Sequence, residues 1–189
     1  NSKAGTTIVV GLGRSGLGAA KMLKLSGEQV VVLEKSHGAV FQSLSKELSH
    51  QGILVELGKP LEINSFKRWL PEINSVVISP AIPWDHPTVN QLRAKGIQIT
   101  SEISLAWRAL KHIPWVGITG TNGKTTVTKM LHHVLKSNQI NSAIGGNVGI
   151  PASEIVLSHI FAKGIIPDWL VMELSSFQIE ASPDISPQI

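Results

Sequence analysis

Two glycine-bearing turns carry the residue types in this chain that could do chemistry. One is Gly120-Thr121-Asn122-Gly123-Lys124-Thr125-Thr126, which follows the apolar segment Ile113-Pro114-Trp115-Val116 and opens a helical pattern running from residue 127 to 135. A strand, a glycine-rich turn and a helix start together expose backbone N–H groups at the positive end of a helix dipole, which suits a polyphosphate. Lys124 adds a mobile cation for the outer phosphates, and Thr125 offers a hydroxyl to Mg²⁺. The strict phosphate-loop pattern asks for glycine at position 118, where this chain has Ile118 with Gly117 one place earlier. Glycines alone could serve a tight turn, but Gly-Lys-Thr-Thr at a helix start is hard to explain as packing.

The other turn is Gly11-Leu12-Gly13-Arg14-Ser15-Gly16, between a strand-like run and a helical pattern over residues 15–26. Its context matches the dinucleotide fingerprint, and Glu34 ends the second strand where that fingerprint places an acid for a ribose hydroxyl. Taken by itself it predicts a phosphate or nucleotide at a helix N-terminus, NAD(P) being one candidate, with close helix–strand packing as the alternative use of the glycines.

Glu173 closes the apolar run Trp169-Leu170-Val171-Met172. Open α/β sheets place ligands and metal-binding acids at such strand ends, so Glu173 is a candidate Mg²⁺ ligand opposite Thr125. Ser175-Ser176-Phe177-Gln178 either binds substrate or caps the next turn. His132 and His133 are neighbours on a helix and face roughly 100° apart, which makes a poor metal pair. Trp84, Trp107 and Trp169 read as core or interface aromatics.

The elements that must position these groups alternate along the chain. Apolar runs at 6–10, 29–33, 53–57, 75–79 and 97–100 read as strands, separated by helical patterns at 15–26, 41–50, 64–70 and 87–95, with a further helix over 102–110. That alternation predicts an α/β fold with a Rossmann-like parallel sheet. A boundary is expected near Lys111-His112-Ile113-Pro114, giving a first domain over 1–111 and, over 112–189, the start of a second, P-loop-like α/β domain. The latter continues with a helix to residue 137, a strand near 142–144, the turn Gly145-Gly146-Asn147 and a helix from residue 151.

Composition narrows the function. The chain has 189 residues, 42% of them apolar, and no cysteine, which excludes a disulfide framework and thiolate metal sites and fits a cytoplasmic protein. No apolar run approaches the roughly 20 residues needed to cross a bilayer, and no secretory pattern precedes the first strand. The net charge of +4 comes from scattered lysines and arginines, so nucleic acid is not an expected partner. The first residue is not Met and the last residues carry no terminal helix, so the chain is expected to be a fragment of a longer protein.

Two nucleotide-type turns in one short chain point to an enzyme that joins a nucleotide-bearing substrate to something else at the expense of ATP. A dehydrogenase needs no phosphate loop, and a phosphate-loop NTPase needs no Rossmann turn. Three segments, Gly120 to Thr126, Gly145-Gly146-Asn147-Val148-Gly149-Ile150-Pro151-Ala152 and Glu173-Leu174-Ser175-Ser176-Phe177-Gln178, resemble the Mur ligases of peptidoglycan synthesis. With Gly11 to Leu17 they resemble the branch of that family that adds D-glutamate to UDP-N-acetylmuramoyl-L-alanine. The resemblance runs over the whole chain, as a UDP-binding domain plus the first part of an ATPase domain.

The resemblance implies ATP and Mg²⁺ as cofactors and D-glutamate and UDP-N-acetylmuramoyl-L-alanine as partners; the sequence leaves the oligomeric state open, with a monomer as the expectation. It implies that Gly120, Thr121, Asn122, Gly123 and Thr126 cradle the phosphates, that Lys124 neutralises them, and that Thr125 and Glu173 hold Mg²⁺. Arg14, Ser15 and Gly16 would hold the diphosphate, Glu34 and Lys35 would lie near uracil or ribose, and Ala81 would sit in the far wall of that pocket. Gly146, Asn147 and Ser175 would contact the UDP-sugar or help to set the ATP site. Two departures stand out: Ala81 replaces the glycine of a common Ser-Pro-Gly, and Glu34 replaces a common Asp. The family's second metal-binding His, its modified lysine and its C-terminal domain have no counterpart here, so no ligase turnover is expected from these residues alone. Rival readings are a folate-glutamylating ligase, for which Gly11 to Gly16 would have no use, and an NAD(P)-dependent oxidoreductase, which leaves Gly120 to Thr126 unused.

Overall fold

The computed structural model describes residues 5–162 and 164–189, so the stretch 1–4 ahead of the first strand lies outside the described residues. The chain divides into two compact units, one up to Glu102 and one from Ile103.

In the first unit the elements are β1 (Thr6–Val10), α1 (Arg14–Leu25), β2 (Gln29–Glu34), α2 (Ala39–His50), β3 (Leu54–Leu57), α3 (Ile63–Phe66), β4 (Ile73–Ile78), α4 (Pro87–Ala94) and β5 (Gln98–Ser101). All five strands are parallel, in the order β3-β2-β1-β4-β5. Parallel sheets are covered on both faces, and β1 accordingly buries every residue of Thr-Thr-Ile-Val-Val. Ile8, Val10, Val31, Leu33, Val76 and Ile78 share one face, packed with Phe66, Val89 and Leu92. The helix expected over 64–70 is a single turn at Ile63–Phe66, after which Trp69 and Leu70 bond back to Phe66 as the chain turns toward β4.

From β1 the chain winds outward to β2 and β3, then crosses to the other side of β1 for β4 and β5. The order therefore reverses between β1 and β4, and the crevice beyond the C-terminal ends of those two strands is where open α/β sheets bind ligands.

In the second unit α5 (Glu102–Leu110) precedes β6 (Trp115–Ile118), α6 (Lys124–Ser137), β7 (Ser142–Gly146), α7 (Ala152–Val156), β8 (Trp169–Glu173) and α8 (Ser176–Glu180), with one π-helical turn over Leu157–Phe161 after α7. Its strands are parallel in the order β6-β8-β7. The last residues run along the free side of β6: the Gly117 N–H donates to the Ile189 carbonyl at 2.8 Å and the Gln188 N–H to the Trp115 carbonyl at 3.1 Å.

The helix α5, read from sequence as the end of the first domain, is grouped with the second unit from Ile103 onward. Long-range contacts account for this. Arg108 Nε donates to Asp184 Oδ2 at 3.1 Å and the Ser104 hydroxyl donates to the other oxygen of the same carboxylate. Trp107 meets Trp115 edge-on with ring centroids 5.1 Å apart, and the Trp115 indole N–H donates to the Leu110 carbonyl.

Candidate functional site

At the switch point of the first sheet, α1 begins on Gly13, whose backbone is extended and supplies no side-chain cap. The first N–H groups of α1 therefore face the turn, and the helical ladder starts only with Leu17 N–H on the Gly13 carbonyl. Gly11 takes φ +93°, a left-handed value that favours glycine, while its N–H donates to the Leu33 carbonyl. Gly16 is required by space: a Cβ there would stand 2.0 Å from the Gly11 carbonyl oxygen. These glycines bring the helix mouth against the strand ends.

Glu34 is buried, and its carboxylate ties two turns together. One oxygen accepts the Leu12 N–H at 2.6 Å and the other accepts the Ser36 N–H at 2.8 Å. A carboxylate that takes a backbone N–H on each oxygen braces the turn after β1 against the turn after β2. Beside it lies a cavity of about 320 Å³ whose lining includes the apolar Val10, Leu33 and Ile82 and the polar Glu34, Lys35 and His86. Ala81 lines the same cavity, so three of the residues expected near a uridine, Glu34, Lys35 and Ala81, converge on one hollow. Arg14 is exposed and Ser15 half-buried in the first turn of α1.

The second unit brings together the other set. α6 starts on Gly123 at φ +77°, again with no side-chain cap, and Gly120 takes φ +137°. Among the described residues, no backbone N–H from Gly120 to Thr126 donates to a backbone carbonyl; Val127 N–H on the Gly123 carbonyl is the first. The Lys124 amine folds back onto the Gly120 carbonyl at 2.6 Å, closing the turn with a bond that is exposed to solvent. An anion entering the turn would find open N–H groups and a cation whose existing bond is easily exchanged.

Beneath the turn, Glu173 ends β8 with 1% of its surface exposed. Thr125 Oγ1 donates to its Oε2 at 2.8 Å and Asn147 Nδ2 donates to its Oε1 at 3.0 Å. The Asn147 N–H also donates to the Glu173 carbonyl at 2.8 Å. Gly146, at φ +96°, lets the β7 end approach this closely, since a Cβ there would stand 2.3 Å from the Glu173 carbonyl oxygen. Thr125, the Gly146-Asn147 pair and Glu173, from three separate stretches of the sequence, thus meet at one point.

No group of three or more His, Asp or Glu side chains able to hold a metal occurs among the described residues. Mg²⁺ does not require one, because it keeps several waters and takes one or two protein oxygens with substrate phosphates. Adjacent corners of a Mg²⁺ octahedron lie about 2.9 Å apart for metal–oxygen bonds of about 2.05 Å. The Thr125 and Glu173 oxygens, 2.8 Å apart, fit that spacing once the hydroxyl turns its proton away.

Ser175 caps α8. Its hydroxyl accepts the Gln178 N–H at 3.2 Å while Gln178 Oε1 accepts the Ser175 N–H at 2.9 Å, the reciprocal capping pair that starts α8. His132 bonds through Nδ1 to the Ser142 hydroxyl at 2.9 Å, and His133 is exposed, so the adjacent histidines have separate surroundings. The residue that sequence reading passed over is His86. Its signal was the His-Pro step at the start of α4, where Pro87 takes the first helical position and the residue before it becomes the cap.

Two family descriptions match the chain, one over each glycine turn's stretch. The family description "Mur ligase MurD-like, N-terminal domain" matches residues 5–101, and "Mur ligase middle domain" matches residues 118–186. Proteins named UDP-N-acetylmuramoylalanine–D-glutamate ligase from Prochlorococcus marinus (strain MIT 9313) and Synechococcus sp. (strain CC9902) are each 57% identical over 183 residues. Each match covers 97% of this chain and 40% of the relative, so the chain spans about two-fifths of the length of these curated relatives. The crystal structure of a murein peptide ligase from Psychrobacter arcticus 273-4 shares the fold, with a TM-score of 0.50 and 19% identity over 92% of this chain and 39% of that one.

Proposed function

The chain belongs to the Mur ligase family, and we propose that it carries the substrate-gripping parts of an ATP-dependent ligase that joins D-glutamate to UDP-N-acetylmuramoyl-L-alanine for peptidoglycan synthesis. The names of its relatives support that substrate pair, and the chemistry of the two glycine turns supports the use of a nucleotide at each. In this reading the first unit takes the UDP end of the substrate and the second begins the ATP-binding domain.

The observation that carries the reading is the bonding of Thr125 and Asn147 to buried Glu173 beneath the Gly120–Lys124 turn. The reaction it serves is phosphoryl transfer followed by acyl transfer. A carboxylate oxygen of the alanine attacks the γ-phosphorus of ATP, the β–γ bridging bond breaks toward ADP, and an acyl phosphate forms. The D-glutamate amine then attacks the acyl carbon and phosphate leaves with the bonding pair, the amine losing a proton as the amide forms. Such transfer depends on positioning and on neutralising charge at the phosphoryl oxygens. The N–H groups of 120–126 cradle the phosphates, Lys124 releases the Gly120 carbonyl to meet the outer ones, and Thr125 with Glu173 holds Mg²⁺. When bound, that ion neutralises phosphate charge.

At the first site, the open turn of α1 with Arg14, Ser15 and Gly16 receives the diphosphate, and the cavity between Glu34, Lys35 and Ala81 receives the uridine. Glu34 acts there chiefly by bracing the turn through Leu12. Scattered basic charge gives no support to a nucleic-acid partner. Isothermal titration of this chain with UDP-N-acetylmuramoyl-L-alanine tests the assignment: saturable binding that Arg14→Glu weakens about tenfold or more is expected, as for loss of a charged contact. Absence of binding to the wild-type chain, or binding of NADH in preference, would overturn it. In this reading the 189-residue chain, about two-fifths of its relatives' length, supplies the two nucleotide sites without the amine site, so D-glutamate addition catalysed by it alone would also contradict the proposal.

A further inference from the structure

His86 stands where the cavity of the first unit meets α4. It lines that cavity, and its Nδ1 accepts the Thr88 N–H at 3.2 Å, which makes it the cap of α4. An imidazole nitrogen that accepts a hydrogen bond carries no proton, so the neutral ring must hold its proton on Nε2. The cap therefore fixes a tautomer, and with it a hydrogen-bond donor on a residue that lines this hollow.

The loop that bears His86 is tied down from α4. Arg93 donates to the Trp84 carbonyl at 2.8 Å and stacks its guanidinium 4.2 Å from the Trp84 ring centroid. Asn90 Nδ2 donates to the Asp85 carbonyl at 2.9 Å, and the Asn90 N–H to the His86 carbonyl at 3.0 Å. Three consecutive loop carbonyls, those of Trp84, Asp85 and His86, are thereby held by two residues of one helix, so the imidazole is presented on a preorganised wall.

Resting on the nucleotide-site assignment above, we propose that His86 is a base-specificity residue: its Nε2–H donates to the C4 carbonyl oxygen of the bound pyrimidine and selects uracil over cytosine. A donor fixed in position meets an acceptor on uracil, whereas the exocyclic amine of cytosine would set donor against donor and leave both unpaired. Sites built around one fixed hydrogen bond discriminate in this way.

The substitution that separates this role from capping is His86→Asn. Asparagine is among the best helix caps, so the Thr88 N–H keeps an acceptor while the Nε2–H is lost. Titration of the wild-type chain and the variant with UDP and with CDP, alongside their thermal midpoints, gives the test; His86→Ser, also a good cap, is the second variant. The expected result is a wild-type preference for UDP of about tenfold, falling toward parity in both variants with unchanged midpoints. A UDP preference that survives both substitutions, or a wild-type chain that binds UDP and CDP alike, overturns the assignment to His86. A wild-type chain that binds neither overturns the nucleotide site itself.

Discussion

The Thr125 hydroxyl donates to the buried Glu173 carboxylate at 2.8 Å, joining the helix that follows the Gly120–Lys124 turn to the end of a strand 48 residues later. Asn147, from the end of β7, completes the contact at 3.0 Å. A solvated strand-end carboxylate would need neither partner. This one is placed beneath an open phosphate-type turn with two neutral donors and no cationic side chain bonded to it among the described residues, a setting that an incoming cation would complete.

Lys124 should be separable from folding. Its recorded bond is the exposed one to the Gly120 carbonyl, so Lys124→Met is expected to change stability by no more than about 0.5 kcal/mol. The same substitution should weaken binding of a nucleoside triphosphate analogue about tenfold or more, read by fluorescence titration. A large fall in stability with unchanged binding would place Lys124 among the structural residues instead.

Gly146→Ala should behave in the opposite way. A Cβ there would stand 2.3 Å from the Glu173 carbonyl oxygen, at a φ of +96°. Displacing β7 from β8 is expected to lower unfolding stability by about 2 kcal/mol or more, measured by urea denaturation. A neutral outcome would show that the β7 end can withdraw from Glu173 without consequence.

Much of both sites could be read from the sequence because their signals are local. The turn at Gly11 to Gly16 and the turn at Gly120 to Lys124 each consist of adjacent residues, and the buried runs of β1, β2, β4 and β8 announce themselves as apolar stretches. What could not be read depends on distant partners. α5 has an ordinary amphipathic pattern, and its place in the second unit shows in contacts with Trp115 and with Asp184, the latter 76 and 80 residues away. The Ser-Ser-Phe-Gln segment left capping open, and the cap became visible only in the paired bonds of Ser175 and Gln178. His86 escaped notice because a lone His before a Pro gains meaning only when a cavity is found beside it.

His132 should make stability depend on pH. Burial lowers its pKa below the ordinary 6.5, with Lys136 and then His133 adding in the same direction. The unfolded chain then takes up the proton before the native one does, so this contribution is complete above about pH 6.5 and declines as pH falls toward the lower native value. Urea midpoints measured between about pH 8 and 5 should fall less steeply for His132→Gln than for the wild type. Identical slopes would remove His132 from the pH response.

Glu173→Gln offers the sharpest comparison, because the amide can still accept from Asn147 and donate to Thr125 while the charge is gone. Binding of a non-hydrolysable ATP analogue should be measured for the wild type and this variant, with and without Mg²⁺. Wild-type affinity that rises about tenfold with Mg²⁺, and a variant that folds normally but does not respond to the ion, is the expected result. Equal wild-type affinity with and without Mg²⁺, or a full response in the variant, would contradict a metal–triphosphate site at Thr125 and Glu173.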